Sequence, residues 1–112
     1  MQAYRDPPKT LEELQGAVTD KTTPGYQDHH IVGQVARREE GRNFPESWID
    51  SPENIVRIPT LKHEDINGWY GRTNSDPKFE GLSPREYLRG KTWSERYQVG
   101  LDALILHKVL KP

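Results

Sequence analysis

The chain of 112 residues contains no cysteine and few apolar side chains. The lack of cysteine excludes disulfide bonds and every metal site that needs thiolate ligands. Apolar residues make up 32% of the chain, and no run approaches the roughly 18 consecutive apolar residues that a membrane-spanning helix requires. The start, MQAYRDPPKT, lacks the apolar stretch of a secretory signal peptide. We therefore expect one small domain, residues 1–112, with no membrane segment and no signal peptide in this chain.

An excess of either charge is also missing. The chain has 16 Lys and Arg side chains against 17 Asp and Glu, and its net charge is −1. Bulk charge thus indicates no particular partner. It disfavours tight unaided binding to DNA, because neutralisation of phosphates by Lys and Arg supplies most non-specific affinity.

Two segments rich in β-branched residues predict a small hairpin. YQDHHIV (26–32) and NIVRIP (54–59) have the composition of strands, and the second ends at a proline. Between them, GQVARREEG (33–41) predicts one or two helical turns, and residues 43–52 predict an irregular segment. Three apolar residues of this irregular segment are expected to fill the core: Phe44, Trp48 and Ile49.

Capping residues predict helices on both sides of the hairpin. Thr10 has a glutamate three residues later, which is a capping box and predicts an N-terminal helix. Thr60 predicts the start of a helix that ends at Gly71. Ser83 and Thr92 repeat the capping box and predict two helices in the last third of the chain. The expected architecture is an N-terminal helix, a split hairpin, a helix packed on it and a helical tail.

Three of the four histidines occupy informative places. His29 and His30 end the first strand, and His63 lies in the first turn of the following helix, nine residues after Asn54. A hairpin packed on this helix brings the three imidazoles together, with two of them on one metal ion. Neighbouring residues of a regular strand point to opposite faces. We therefore expect the chain to leave strand geometry between Asp28 and His30.

The order His-His, Asn, His resembles the HNH, or ββα-metal, nuclease superfamily. The likeness is to its His-His branch, found in colicin-type DNases and in the C-terminal toxin domains of polymorphic and Rhs-type bacterial toxins. The matching segments are DHHIV (28–32), NIV (54–56) and LKH (61–63). Residues 81–112 also resemble a tail carried by some of these toxin domains.

The resemblance implies an α+β fold with a small ββα-metal core, also called a His-Me finger. That core would span residues 26–71, and the helical tail residues 82–110. The resemblance further implies a metal-dependent endonuclease that hydrolyses phosphodiester bonds of DNA. It would be an antibacterial toxin or effector domain, secreted or injected to act in the cytoplasm of a target cell, and it would have a cognate immunity protein.

Roles for individual residues follow from the same resemblance. His29 and His63 would bind the metal, His30 would be the general base, and Asn54 would pin the loop that carries the base. Colicin-type enzymes have a further histidine one helical turn after the counterpart of His63. Here that place holds Asn67, whose carbonyl oxygen is one candidate for the third ligand and water the other. Fewer imidazoles favour Mg²⁺ or Mn²⁺ over Zn²⁺ or Ni²⁺.

Charged residues near these histidines are candidates for supporting roles. Arg57 on the second strand and Lys62 beside His63 are the expected phosphate contacts. Asp28 is either a carboxylate that orients a histidine or a loop acid with no role. Five aromatic residues are expected in the core rather than as platforms for stacked bases: Trp48, Trp69, Tyr70, Trp93 and Tyr97.

Two other functions stay open from the sequence. The first is a non-catalytic module, stapled by a metal ion, that binds nucleic acid or a protein. The second is a purely helical interaction domain in which the histidines are incidental. Metal-dependent cleavage separates the nuclease from the first alternative, and metal-dependent folding separates the first alternative from the second.

Overall fold

A computed structural model describes residues 6–33 and 44–112 of the chain. In these ranges the protein is a small α+β domain with one two-stranded antiparallel sheet. Its strands and helices are β1 (Tyr26–His30), β2 (Ile55–Pro59), α1 (Leu11–Gly16), α2 (Glu46–Ile49), α3 (Thr60–Gly71), α4 (Pro84–Leu88) and α5 (Trp93–Leu106). None of the helices in these ranges is long and apolar enough to span a bilayer. Apart from Gly33, the helical turns predicted over 33–41 lie outside the described residues.

The two strands form the predicted hairpin with a continuous ladder. Tyr26 lies opposite Pro59, and His30 lies opposite Ile55. The expected departure from strand geometry before His30 was wrong. The ladder continues even beyond this residue, because the Ile31 N–H donates to the Asn54 carbonyl at 2.8 Å.

The core lies where α3 and α5 meet the sheet. Val56 and Ile58 of β2 are fully buried, together with Ile66 of α3 and Leu104 of α5. α3 starts directly after β2 and packs against both strands. The first turn of α3 is thereby held close to the sheet, and this placement positions the candidate site.

Side-chain caps fix three helix starts as predicted. The side chains of Thr10, Ser83 and Thr92 each accept a hydrogen bond from the backbone N–H three residues later. α3 differs, since Thr60 is its first residue and the preceding Pro59 makes no side-chain cap. Proline fixes φ near −65° and stops the strand, so the change from strand to helix needs no hydroxyl there.

The segment before β2 is more regular than predicted. It contains α2 and a short 3₁₀ turn, Pro52–Asn54. Ile49 is fully buried, as expected, but Trp48 is 49% exposed and is not a core residue. Adjacent residues on a helix point in different directions, so α2 turns Trp48 outward while it buries Ile49.

Candidate metal centre

Two imidazole rings meet between the end of β1 and the start of α3. His29 is 5% exposed, and its ring lies edge-on to that of His63, with the ring centroids 5.2 Å apart and an interplanar angle of 78°. His29 faces the helix because β1 stays regular and places it on the same face of the sheet as its partner Val56. The two rings expected to share a metal ion are therefore neighbours.

The buried ring of His29 has an unused nitrogen. Within the described part of the chain, its Nε2 atom has no hydrogen-bond partner and is inaccessible to solvent. Most buried polar atoms in proteins are hydrogen-bonded, and an unpaired one costs about 1–3 kcal/mol. An imidazole nitrogen is also among the commonest metal ligands. The orphaned nitrogen beside a second imidazole thus fits a divalent metal ion.

Both rings are held in the neutral form that binds metals. Burial, with smaller contributions from the nearby His63 and His30, lowers the pKa of His29 to about 3. Burial also lowers the pKa of His63; Glu64 opposes this shift, and His30 adds to it. Neutral imidazoles bind a cation without first releasing a proton. These mutual effects also place His30 within electrostatic range of both rings.

His30 contacts a carboxylate that the sequence did not single out. As a neighbour of His29 on a regular strand it leaves the sheet on the other side, yet it stays close enough to lower the pKa of both His29 and His63. Its Nε2 atom lies 3.4 Å from Oδ1 of Asp50, at the end of α2. A carboxylate at this distance orients the ring. Asp50 lies in the segment predicted to be irregular, and no sequence signal linked it to a histidine 20 residues earlier.

Asn54 joins the segments on either side of the site. It is buried, its side-chain oxygen accepts a hydrogen bond from the Val32 N–H (2.8 Å), and its amide donates to the carbonyls of Val32 (3.1 Å) and Ile49 (2.9 Å). The exit of β1 after His30 is therefore tied to the entrance of β2 and to α2. This is the clamp geometry that the predicted role of Asn54 requires.

The third ligand position is not filled by a charged side chain. In the two described ranges, no group of three or more His, Asp and Glu side chains is placed to bind one metal ion. Asn67 lies one helical turn after His63, on the same side of α3, and is exposed. Its carbonyl oxygen and water stay the predicted candidates for the remaining positions.

Arg57 does not have the surroundings expected of a phosphate contact. Asp28 and Arg57 face each other across the strands, and the guanidinium donates to Oδ1 of Asp28 at 2.9 Å. The same guanidinium donates to both oxygens of Thr19 and to Lys21 O. Asp28 thus anchors an arginine and not a histidine.

A small pocket lies beside the two basic residues predicted to contact phosphate. Arg57 and Lys62 line it together with Tyr26 and Lys108, and its volume of about 20 Å³ has room for a water molecule but not for a phosphate. Because the Arg57 guanidinium is bound within the protein, its predicted phosphate contact is not retained. The phosphate contact of Lys62 stays a prediction. Alternation along β2 turns Arg57 away from the face that carries His29.

Taken together, the site offers two neighbouring imidazoles suited to bind a metal ion and a third imidazole that contacts a carboxylate. The chain matches no family model, no curated protein and no solved structure. Its chemistry is therefore inferred from these residues. A divalent ion beside a solvent-accessible imidazole is suited to the activation of water and the hydrolysis of an anionic ester.

Proposed function

We propose that this protein is a metal-dependent endonuclease of the HNH type that hydrolyses phosphodiester bonds of DNA. β1, β2 and α3 would form its ββα-metal core. One observation carries the proposal: the ring of His29, whose buried Nε2 has no hydrogen-bond partner among the described residues, lies beside the ring of His63, and His30 follows at the same strand end. In a histidine with a purely structural role, a buried ring nitrogen such as this one would ordinarily form a hydrogen bond within the protein.

His29 and His63 would hold the divalent ion, and Asn67 or water would complete its coordination. When bound, such an ion stabilises negative charge on the phosphate and on the leaving oxygen. Mg²⁺ and Mn²⁺ suit the oxygen-rich remainder of this ligand set better than Zn²⁺ or Ni²⁺.

His30 would act as the general base. Its ring takes a proton from a water molecule, the water oxygen bonds to phosphorus, and the bond from phosphorus to the 3′ oxygen breaks. That oxygen takes up a proton, which gives 3′-hydroxyl and 5′-phosphate ends. Asp50 acts through His30 as a positioning residue, because its carboxylate fixes the ring and stabilises the imidazolium that forms. Asn54 keeps the backbone after His30 in place.

The family likeness supports a bacterial toxin or effector domain neutralised by an immunity protein. The second candidate is the non-catalytic, metal-stapled module. One observation favours it: the Arg57 guanidinium is bound within the protein, which removes one expected contact to phosphate. Cleavage separates the two candidates.

The test is nicking of supercoiled plasmid with Mg²⁺, Mn²⁺ or Zn²⁺, and with EDTA. We expect metal-dependent nicking that His30→Ala reduces by about 10²–10⁴-fold, the usual contribution of a general base. His107→Gln is the control, since His107 lies at the end of α5 and its ring contacts the Ala103 carbonyl. Nicking that survives His30→Ala overturns the mechanism. Metal binding without any nicking favours the binding module.

A further inference from the structure

An aromatic cleft lies next to the candidate centre. It has a volume of about 310 Å³ and is lined by Ser47, Trp48, Ser51, Glu53, Trp93 and Tyr97. The rings of Trp48 and Trp93 form a corner, with centroids 5.6 Å apart and an interplanar angle of 74°. Pockets that bind small molecules begin at about this volume and combine aromatic walls with a few polar groups.

The cleft adjoins the residues of the candidate site on two sides. Asn54, the clamp after β1, also lines it. Trp48 lies in α2, two residues before Asp50, whose carboxylate contacts His30. A group bound against Trp48 is therefore close to the water that His30 would activate.

We propose that this cleft binds one unpaired base of the nucleic acid next to the phosphate that is cut, with a preference for guanine. The inference rests on the proposed nuclease function and extends it to the choice of substrate. It makes single-stranded DNA, or a base turned out of a duplex, the preferred substrate.

Stacking on Trp48 requires an open base. Nearly half of the Trp48 surface is exposed, while the ring is held from within the protein by Phe44, which stacks on it, and by Trp93. Inside a duplex both faces of a base are covered by its neighbours, so a base must leave the stack before it contacts an aromatic wall. Such stacking tolerates every base and does not by itself select one.

Glu53 supplies the selection. The Tyr97 hydroxyl donates to the Glu53 backbone carbonyl at 2.9 Å, and burial together with the Glu53 charge raises the pKa of Tyr97. Glu53 lines the cleft, so its carboxylate is available there to accept hydrogen bonds from a bound base. Guanine presents two adjacent donors, N1–H and N2–H, that one carboxylate can accept, whereas thymine presents a single N–H between two carbonyls.

An aromatic corner beside a carboxylate also suits an organic cation. The cleft is lined by Ser51, which directly follows Asp50 in the chain, and by Asn54. This position favours a base of the substrate, because the phosphodiester must lie near His30 for hydrolysis. A cationic ligand, such as a lysine side chain of a partner protein, is the other outcome that the test must separate.

The experiment follows tryptophan fluorescence of the His30→Ala protein in EDTA, so that no cleavage occurs. The probes are two single-stranded heptamers, d(TTTGTTT) and d(TTTTTTT), a duplex of the first, and tetramethylammonium chloride. We expect the guanine heptamer to bind best and Trp48→Ala to weaken its binding about tenfold. Trp48→Phe should retain most of the affinity, and Glu53→Gln should remove the preference for guanine.

Leu106→Ala is the matched control, since Leu106 is 60% exposed at the far end of the helix that carries Trp93. The proposal is overturned if the Trp48→Ala variant binds each heptamer as tightly as the parent does. It is also overturned if tetramethylammonium quenches the fluorescence saturably and the heptamers do not. Plasmid cleavage combined with equal binding by Trp48→Ala refutes the base site but leaves the nuclease. If binding depends on Trp48 but the protein that retains His30 does not cleave plasmid, the base site stands and the nuclease function is refuted.

Discussion

Gly100 of α5 lies directly against the backbone of Ile31, the residue that follows His30. A Cβ atom on Gly100 would lie 2.4 Å from the Ile31 carbonyl oxygen and 2.6 Å from its side chain. Only a residue without a side chain allows this approach. α5 therefore supports the backbone that carries His29 and His30, although it contributes no histidine to the candidate site.

Gly100→Ala should destabilise the protein by about 1–3 kcal/mol, because an overpacked core displaces backbone as well as side chains. It should also weaken metal binding, since the displaced Ile31 adjoins the His29–His30 pair. Gly16→Ala in α1 is the control, as a Cβ there meets no atom within 4 Å. Thermal unfolding measures both variants, and equal melting temperatures would show that α5 does not support the site.

Asn54→Ala should lower the free energy of unfolding by about 3 kcal/mol or more. It removes three buried hydrogen bonds and leaves one N–H and two carbonyl groups without partners. Asn74→Ala is the comparison, since Asn74 makes one exposed hydrogen bond to the Asp76 N–H and should cost about 1 kcal/mol or less. Urea unfolding measures the difference, and similar midpoints for the two variants contradict the role of Asn54 as a clamp.

The metal-free protein should lose stability as the pH falls. The pKa of His29 drops from 6.5 to about 3 on folding, so between these values the unfolded chain binds the additional proton. Stability from this group is complete above pH 6.5 and is lost toward pH 3, by up to about 1.4 kcal/mol per pH unit. His63 acts in the same direction. In EDTA, the free energy of unfolding of His29→Phe should fall less steeply with decreasing pH than that of the parent. Equal slopes for the two proteins would contradict the low pKa assigned to His29.

A divalent ion should stabilise the parent protein by about 2.7 kcal/mol at 100 times its dissociation constant. His63→Ala should abolish this gain, whereas His107→Gln should retain it. Asn67→His offers a third imidazole and should tighten Zn²⁺ binding without improving Mg²⁺ binding. Melting curves with and without each ion decide the matter. If an added ion stabilises His63→Ala as much as it stabilises the parent, the ion binds at another site.

Local signals predicted most of the elements. The capping hydroxyls of Thr10, Ser83 and Thr92 act on backbone groups three residues away, and the strands are marked by β-branched residues and by Pro59. These features depend on neighbours in the chain, so the sequence reveals them. The approach of His29 to His63 was also predictable, because β2 leads directly into α3.

Contacts between distant segments were not predictable. Arg57 was expected to bind phosphate, but its partners are Asp28 on the neighbouring strand and a loop more than 30 residues earlier. Asp50, and not Asp28, contacts a histidine, because strand alternation turns His30 toward α2. The outward direction of Trp48 likewise depends on which side of a one-turn helix meets the core.

The most direct measurement is a titration of Zn²⁺ into the ¹⁵N-labelled protein, with the histidine ring nitrogens observed by NMR. Zinc is diamagnetic, so each ring is resolved in the complex. We expect the signals of Nε2 of His29 and of one nitrogen of His63 to shift together and to saturate at one ion per chain, while those of His107 are unaffected. Saturation of one ion with the ring nitrogens of His29 and His63 unmoved would contradict it.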